Sequence, residues 1–140
     1  MKKTIMVSGG FDPPHIGHIR MFKEASKWGK LIVAINSDEW LLRKKGYVFM
    51  PWKERAEIIK EFSSVSFVTS FDDSDDTACG AIIQMKPSAF ANGGDRRKEN
   101  TPEMDLCEKL DIQMLWGIGG KDKPQSSSWL VKKLLKDKEE

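Results

Sequence analysis

Two cysteines, two histidines and one tyrosine are all the chain has of those types in 140 residues. Cys79 and Cys107 lie far apart and no CxxC occurs, so no disulfide framework or thiolate metal cluster is built from them. Charge of one sign is also scarce. Lys and Arg number 23 against 21 Asp and Glu, a net +2. That is too weak a field to wrap a nucleic-acid backbone, and no nucleic-acid partner is expected. No apolar run approaches the roughly 20 residues that cross a bilayer, so no membrane partner is expected either. Lys2-Lys3 is followed by only a few apolar residues before Ser8-Gly9-Gly10, which is not a signal peptide. A cytoplasmic location is the resulting expectation. Internal repeats, low-complexity stretches and long linkers are missing too. With 39% apolar and 31% charged residues, the chain reads as a single domain over 1–140.

Short apolar runs alternate with amphipathic stretches, which predicts an α/β fold with a mainly parallel sheet. Strands are predicted at 3–8, 31–36, 65–69, 88–91 and 112–116. Helices are predicted at 16–28, 38–44, 52–62, 75–85, 101–110 and 126–136. Gly29 stops the first helix, and Pro87 follows the fourth. Thr101-Pro102-Glu103 reads as an N-cap, a first-turn proline and an acidic first turn. The acidic run Phe71-Asp72-Asp73-Ser74-Asp75-Asp76 reads as a solvated turn with an N-cap rather than a metal site.

Both histidines sit in one stretch, Ser8-Gly9-Gly10-Phe11-Asp12-Pro13-Pro14-His15-Ile16-Gly17-His18. It follows the apolar run Ile5-Met6-Val7 and precedes a helical pattern. A strand, a glycine turn and a helix start direct backbone N–H groups and the positive end of a helix dipole at one place, an anion site. Two imidazoles beside it supply donors for phosphate oxygens. As a metal site the pair has too few ligands, so no protein-held metal is expected. In open parallel sheets, ligands sit beyond the carboxyl ends of the strands. The His loop, Asn36-Ser37-Asp38, Asn92-Gly93-Gly94-Asp95 and Gly117 to Gly120 should all meet on that rim.

The string GGFDPPHIGH resembles the HxGH signature of the cytidylyltransferase-like nucleotidyltransferases, which include glycerol-3-phosphate cytidylyltransferases and heptose-1-phosphate adenylyltransferases. The resemblance runs from about residue 4 to residue 136. It implies a Rossmann-like doubly wound sheet of about five parallel strands with helices on both faces. It further implies transfer of a nucleotide from ATP or CTP to a phosphorylated sugar or polyol, with release of pyrophosphate. A cofactor adenylyltransferase of the phosphopantetheine, nicotinate-mononucleotide or flavin type is the enzymatic alternative. A non-catalytic nucleotide-binding module is the other.

The resemblance gives His15, His18 and Lys45 catalytic roles. It gives Ser8, Gly9, Gly10, Phe11, Gly17, Lys121, Ser126, Ser127 and Ser128 to the nucleotide. Asp38, Arg55, Asp95 and Arg96 are expected at the acceptor. Asp12 is expected to support the His loop. Mg²⁺ is expected to travel with the triphosphate, held mainly by phosphates and water. Residues 43–50, rich in basic side chains, are expected to form a mobile arm that closes over the nucleotide. A homodimer is expected. The chain departs from the cytidylyltransferase pattern near its end, where Lys121 replaces an arginine and Pro124 a glycine. Lysine keeps the charge and loses the bidentate fork.

Overall fold

A computed structural model describes residues 3–93 and 101–118. Asp95, Arg96, Lys121, Ser126, Ser127 and Ser128, and the helix predicted over 126–136, lie outside the described residues.

Among the described residues there are five strands and five helices, in the order β1 (Thr4–Gly9), α1 (Ile16–Ser26), β2 (Lys30–Ile35), α2 (Asp38–Lys45), α3 (Trp52–Lys60), β3 (Val65–Thr69), α4 (Cys79–Met85), β4 (Ala89–Gly93), α5 (Pro102–Lys109) and β5 (Gln113–Ile118). The strands form one parallel sheet in the order β3-β2-β1-β4-β5. The sheet grows outward in both directions from β1 and β4. The strand order reverses between those two, and this is where an open α/β sheet leaves a crevice for a ligand.

Alternation along the strands sorts the core into two layers. Ile5, Val7, Leu31, Val33 and Ile35 pack with Phe22 and Ala25 of α1 and Ile59 of α3. Met6, Ile32, Ala34 and Phe90 pack with Ala81 and Ile82 of α4 and Cys107 of α5. Successive side chains point to opposite faces of a strand, so the near-continuous apolar runs of β1 and β2 feed both layers. The helices therefore lie on both faces, as a doubly wound sheet requires.

Local chemistry explains most element ends. The Thr101 hydroxyl accepts from Met104 N at 3.2 Å, and Pro102 opens α5 where its missing N–H costs nothing. Gly46 closes α2 with φ +81°, a left-handed cap. Gly29 is required by close approach: a Cβ there would lie 2.7 Å from the Lys3 carbonyl oxygen.

The fourth helix is shorter than predicted. It begins at Cys79, not near residue 75, and its N-cap Ala78 makes no side-chain cap. The acidic run caps its own turns instead: Ser74 N donates to Asp72 Oδ1 at 3.0 Å and Thr77 N to Asp75 Oδ1 at 2.9 Å. Such local bonds compete with helix formation. Among the described residues, no helix is long and apolar enough to cross a membrane.

Candidate active site

The His loop leaves the carboxyl end of β1 and enters α1 at the strand-order reversal. His15 is the N-cap of α1. Its Nδ1 accepts from Gly17 N at 3.0 Å, while His15 N donates to His18 Nδ1 at 3.1 Å. The two imidazoles thus form a reciprocal capping box, a role more familiar for Ser and Glu. A ring nitrogen that accepts carries no proton. In the neutral ring the proton then resides on Nε2, which becomes the donor. The backbone has selected the tautomer of both histidines. The rings stack with centroids 3.8 Å apart, and Phe11 meets His18 edge-on at 4.8 Å.

Phe11 was expected at the nucleotide. Its side chain is buried in the core, packed on Phe22, and its φ is +51°. The ring backs His18, which leaves only the backbone of Phe11 for a ligand. Gly9 and Gly10 make that packing possible. A Cβ on Gly9 would lie 3.0 Å from the Phe11 ring, and one on Gly10 3.0 Å from Leu41 Cδ2. Ser8 ends the buried part of β1 beside them. Gly17 donates its N–H to the His15 cap.

Asp12 supports the loop as expected. It is fully buried and accepts from Phe49 N at 2.7 Å and Met50 N at 2.6 Å. These bonds tie the second half of the segment 43–50 to the His loop. Residues 43–45 are the last turn of α2, and the following loop is tied to Asp12. Buried backbone N–H groups need partners, and the carboxylate supplies two.

Arg55 is held by several loops at once. It was expected at the acceptor, but its side chain is fully buried. Nε donates to Met50 O at 2.8 Å, Nη1 to Gly10 O at 2.7 Å and Asn36 O at 2.9 Å, and Nη2 to Asp38 Oδ1 at 2.6 Å. One guanidinium therefore joins the loops after β1 and β2 to the start of α3. Asp38 shares in this, accepting Trp52 N at 2.9 Å through the same oxygen, while its side chain stays 39% exposed.

Lys45 stands half-buried at the end of α2. Burial lowers its pKa below the ordinary lysine range; the Asp12 carboxylate opposes that and Arg55 adds to it. Asp12 lies in the His loop and Arg55 is bonded to its Gly10 carbonyl.

No cluster of three or more His, Cys, Asp or Glu side chains suited to a metal occurs among the described residues. The carboxylate of the His loop, Asp12, has both oxygens engaged by backbone N–H groups.

The sequence reading missed Asp73. It is 4% exposed in the loop after β3. Asn36 Nδ2 donates to its Oδ2 at 3.0 Å, Ser37 N to the same oxygen at 2.8 Å, and Ser37 Oγ to Oδ1 at 2.8 Å. Burial pushes its pKa up, but these bonds to Ser37 and Asn36 prevail and hold it below the usual carboxylate range. Nothing in the run Asp72-Asp73-Ser74-Asp75-Asp76 distinguishes this aspartate from its neighbours.

The chain has relatives among known proteins. The family described as Cytidylyltransferase-like matches residues 6–128. The Bifunctional protein HldE of Citrobacter koseri is 32% identical over 97% of this chain and 28% of its own length. That of Syntrophotalea carbinolica is 33% identical over 76% of this chain and 22% of its own. The chain thus spans about a quarter of the length of these curated relatives. The lipopolysaccharide core biosynthesis protein of Thermoplasma volcanium shares the fold with a TM-score of 0.67 at 24% identity, covering 83% of this chain and 96% of that one. With the family match spanning most of the chain, and the paired histidines set at the strand-order reversal, this protein belongs to the cytidylyltransferase-like family of nucleotidyltransferases.

Proposed function

We propose that the protein transfers a nucleotidyl group from ATP or CTP to the phosphate of a sugar or polyol phosphate. The observation that carries this reading is the locked histidine pair. Each Nδ1 accepts a backbone N–H, so each neutral ring has its Nε2–H as donor at the start of α1. The acceptor's phosphate oxygen attacks the α-phosphorus in line. A new P–O bond forms as the bond to the β-phosphate oxygen breaks, and pyrophosphate leaves with the electron pair. No side-chain nucleophile takes part, so rate comes from alignment and from donors aimed at developing charge. His15 and His18 stabilise the α-phosphate and leaving-group oxygens, and Lys45 neutralises the triphosphate. Lys121, Ser126, Ser127 and Ser128 are assigned to the β- and γ-phosphates, and Asp95 and Arg96 to the acceptor, on sequence resemblance alone. Mg²⁺ would enter with the nucleotide and add to that neutralisation.

Asp38 keeps part of its carboxylate exposed beside the rim and remains assigned to the acceptor, while Arg55 holds it in place. Resemblance to heptose-phosphate adenylyltransferases makes ATP with a sugar phosphate the first pair to test. The experiment is pyrophosphate release with each of the four nucleoside triphosphates against a library of phosphorylated metabolites, with the product identified by mass. A nucleoside diphosphate-linked sugar or polyol is the expected product. Adenylylation of a phosphopantetheine, nucleotide or flavin acceptor instead would establish the cofactor alternative. Triphosphate binding with no release against any acceptor would establish a binding module.

A further inference from the structure

We infer that Asp73 is a positioning residue for Lys45: it braces α2 at both ends and so sets where the lysine stands against the nucleotide's phosphates. The inference rests on the proposed nucleotidyl transfer for its functional meaning, and on the hydrogen bonds of one residue for its structure.

The brace begins at the helix start. The Asp73 carboxylate takes the Ser37 N–H and hydroxyl and the Asn36 amide, at 2.8, 2.8 and 3.0 Å. Ser37 is the N-cap of α2, and its oxygen in turn accepts Trp40 N at 3.0 Å. A hydroxyl that donates to a carboxylate becomes a better acceptor, so the cap and the buried charge reinforce each other. The brace ends at the last turn. Arg43 Nη2 donates to the Asp73 backbone carbonyl at 2.8 Å, and Arg43 Nε and Nη2 reach Asp76 Oδ1 at 3.1 and 3.0 Å. Lys45 lies two residues further on. An eight-residue helix held at its cap and at its last turn has little freedom to rotate or slide.

Independent ties place the other side of α2. Asn36 N donates to Gly9 O at 2.9 Å, and Leu41 packs under Gly10. Rotation of α2 would withdraw Lys45 from Asp12 and Arg55, the two charges it feels. The acidic run that looks solvated in sequence therefore has one member turned inward, where it ties both ends of the helix that carries Lys45. Asp73 touches no reacting atom in this account.

A double-mutant cycle tests it, with Kd for ATP and for CTP read by calorimetry in wild type, Asp73→Asn, Lys45→Ala and the double variant. Asp73→Asn should weaken triphosphate binding about fivefold or more when Lys45 is present and less than about twofold when it is absent, the non-additivity of coupled residues. Equal losses in both backgrounds would make Asp73 a purely structural residue and overturn the inference. Arg43→Gln cuts only the exposed end of the brace and should act in the same direction, which keeps the test open if Asp73→Asn does not fold. A second readout is independent of nucleotide. In an NMR titration with the Lys45 signal assigned through Lys45→Arg, loss of the brace should move Lys45 toward the ordinary lysine range. An unchanged titration in both Asp73→Asn and Arg43→Gln would overturn the inference. Absence of activity or binding in wild type would refute the proposed function and leave this titration to decide the brace.

Discussion

A histidine pair that caps its own helix has its chemistry set by the backbone. Removing either ring also removes half of a capping box, so a rate loss must be separated from a stability loss. His18→Ala should lower turnover by about a hundredfold or more, as expected for loss of an oxyanion donor, and change nucleotide affinity much less. Steady-state kinetics beside a thermal melt checks this; normal turnover would remove His18 from the mechanism. Lys45 gives a pH signature. Its pKa is depressed, so its charge disappears on the alkaline side earlier than that of an ordinary lysine. Affinity for triphosphate should therefore decline below the usual lysine range, and Lys45→Ala should flatten that limb. Asp73 has the opposite consequence for stability. Its folded pKa lies below the ordinary carboxylate value, so its stabilisation is present above that ordinary value and is lost as pH falls through the folded one. Asp73→Asn should show a shallower acid loss of stability than wild type in urea melts.

At the scale of elements, three loops and two helix starts are tied by two buried charges. Arg55→Met would leave the Gly10, Asn36 and Met50 carbonyls without their partner and Asp38 without its cation. Breaking such a buried network typically costs about 3–5 kcal/mol, measurable by denaturant titration; a loss under about 1 kcal/mol would contradict the role assigned to the guanidinium. Activity should fall as well, through displacement of the loops and not through lost acceptor contact. Arg55 illustrates what the sequence conceals. Its position in an amphipathic helix was visible beside Ala56, Ile58, Ile59 and Phe62. Its burial was not, because a guanidinium is as compatible with a solvated face as with a ring of inward carbonyls. The basic run 43–45 was as hard to read. Repulsion among like charges suggests mobility, but a helix C-terminus favours cations and Asp12 restrains the loop beyond. The strands, by contrast, were legible within a residue or two, since apolar runs bounded by glycine and polar groups leave few alternatives.

For the whole molecule, the pairing of β1 with β4 inside the sheet sets the His loop at the strand-order reversal. The HxGH string was readable from spacing; its place at the strand-order reversal emerges only when β4 pairs with β1 and not with β3. One outer strand, β3, carries Phe67 at 50% exposure, and Ile58 of the neighbouring α3 is 39% exposed. The expected homodimer remains a prediction at this scale. Light scattering during size-exclusion chromatography should give about twice the 15.9 kDa of one chain; a monomer mass that persists on concentration would contradict it.

The central claim is that two backbone-locked imidazoles accelerate nucleotidyl transfer. Single-turnover pyrophosphate release, with the best triphosphate and acceptor pair, compares wild type with His15→Ala and His18→Ala at saturating nucleotide. The account predicts a chemical step slowed by about a hundredfold or more in each variant, with triphosphate binding retained. A release rate within a few-fold of wild type in both variants would contradict it.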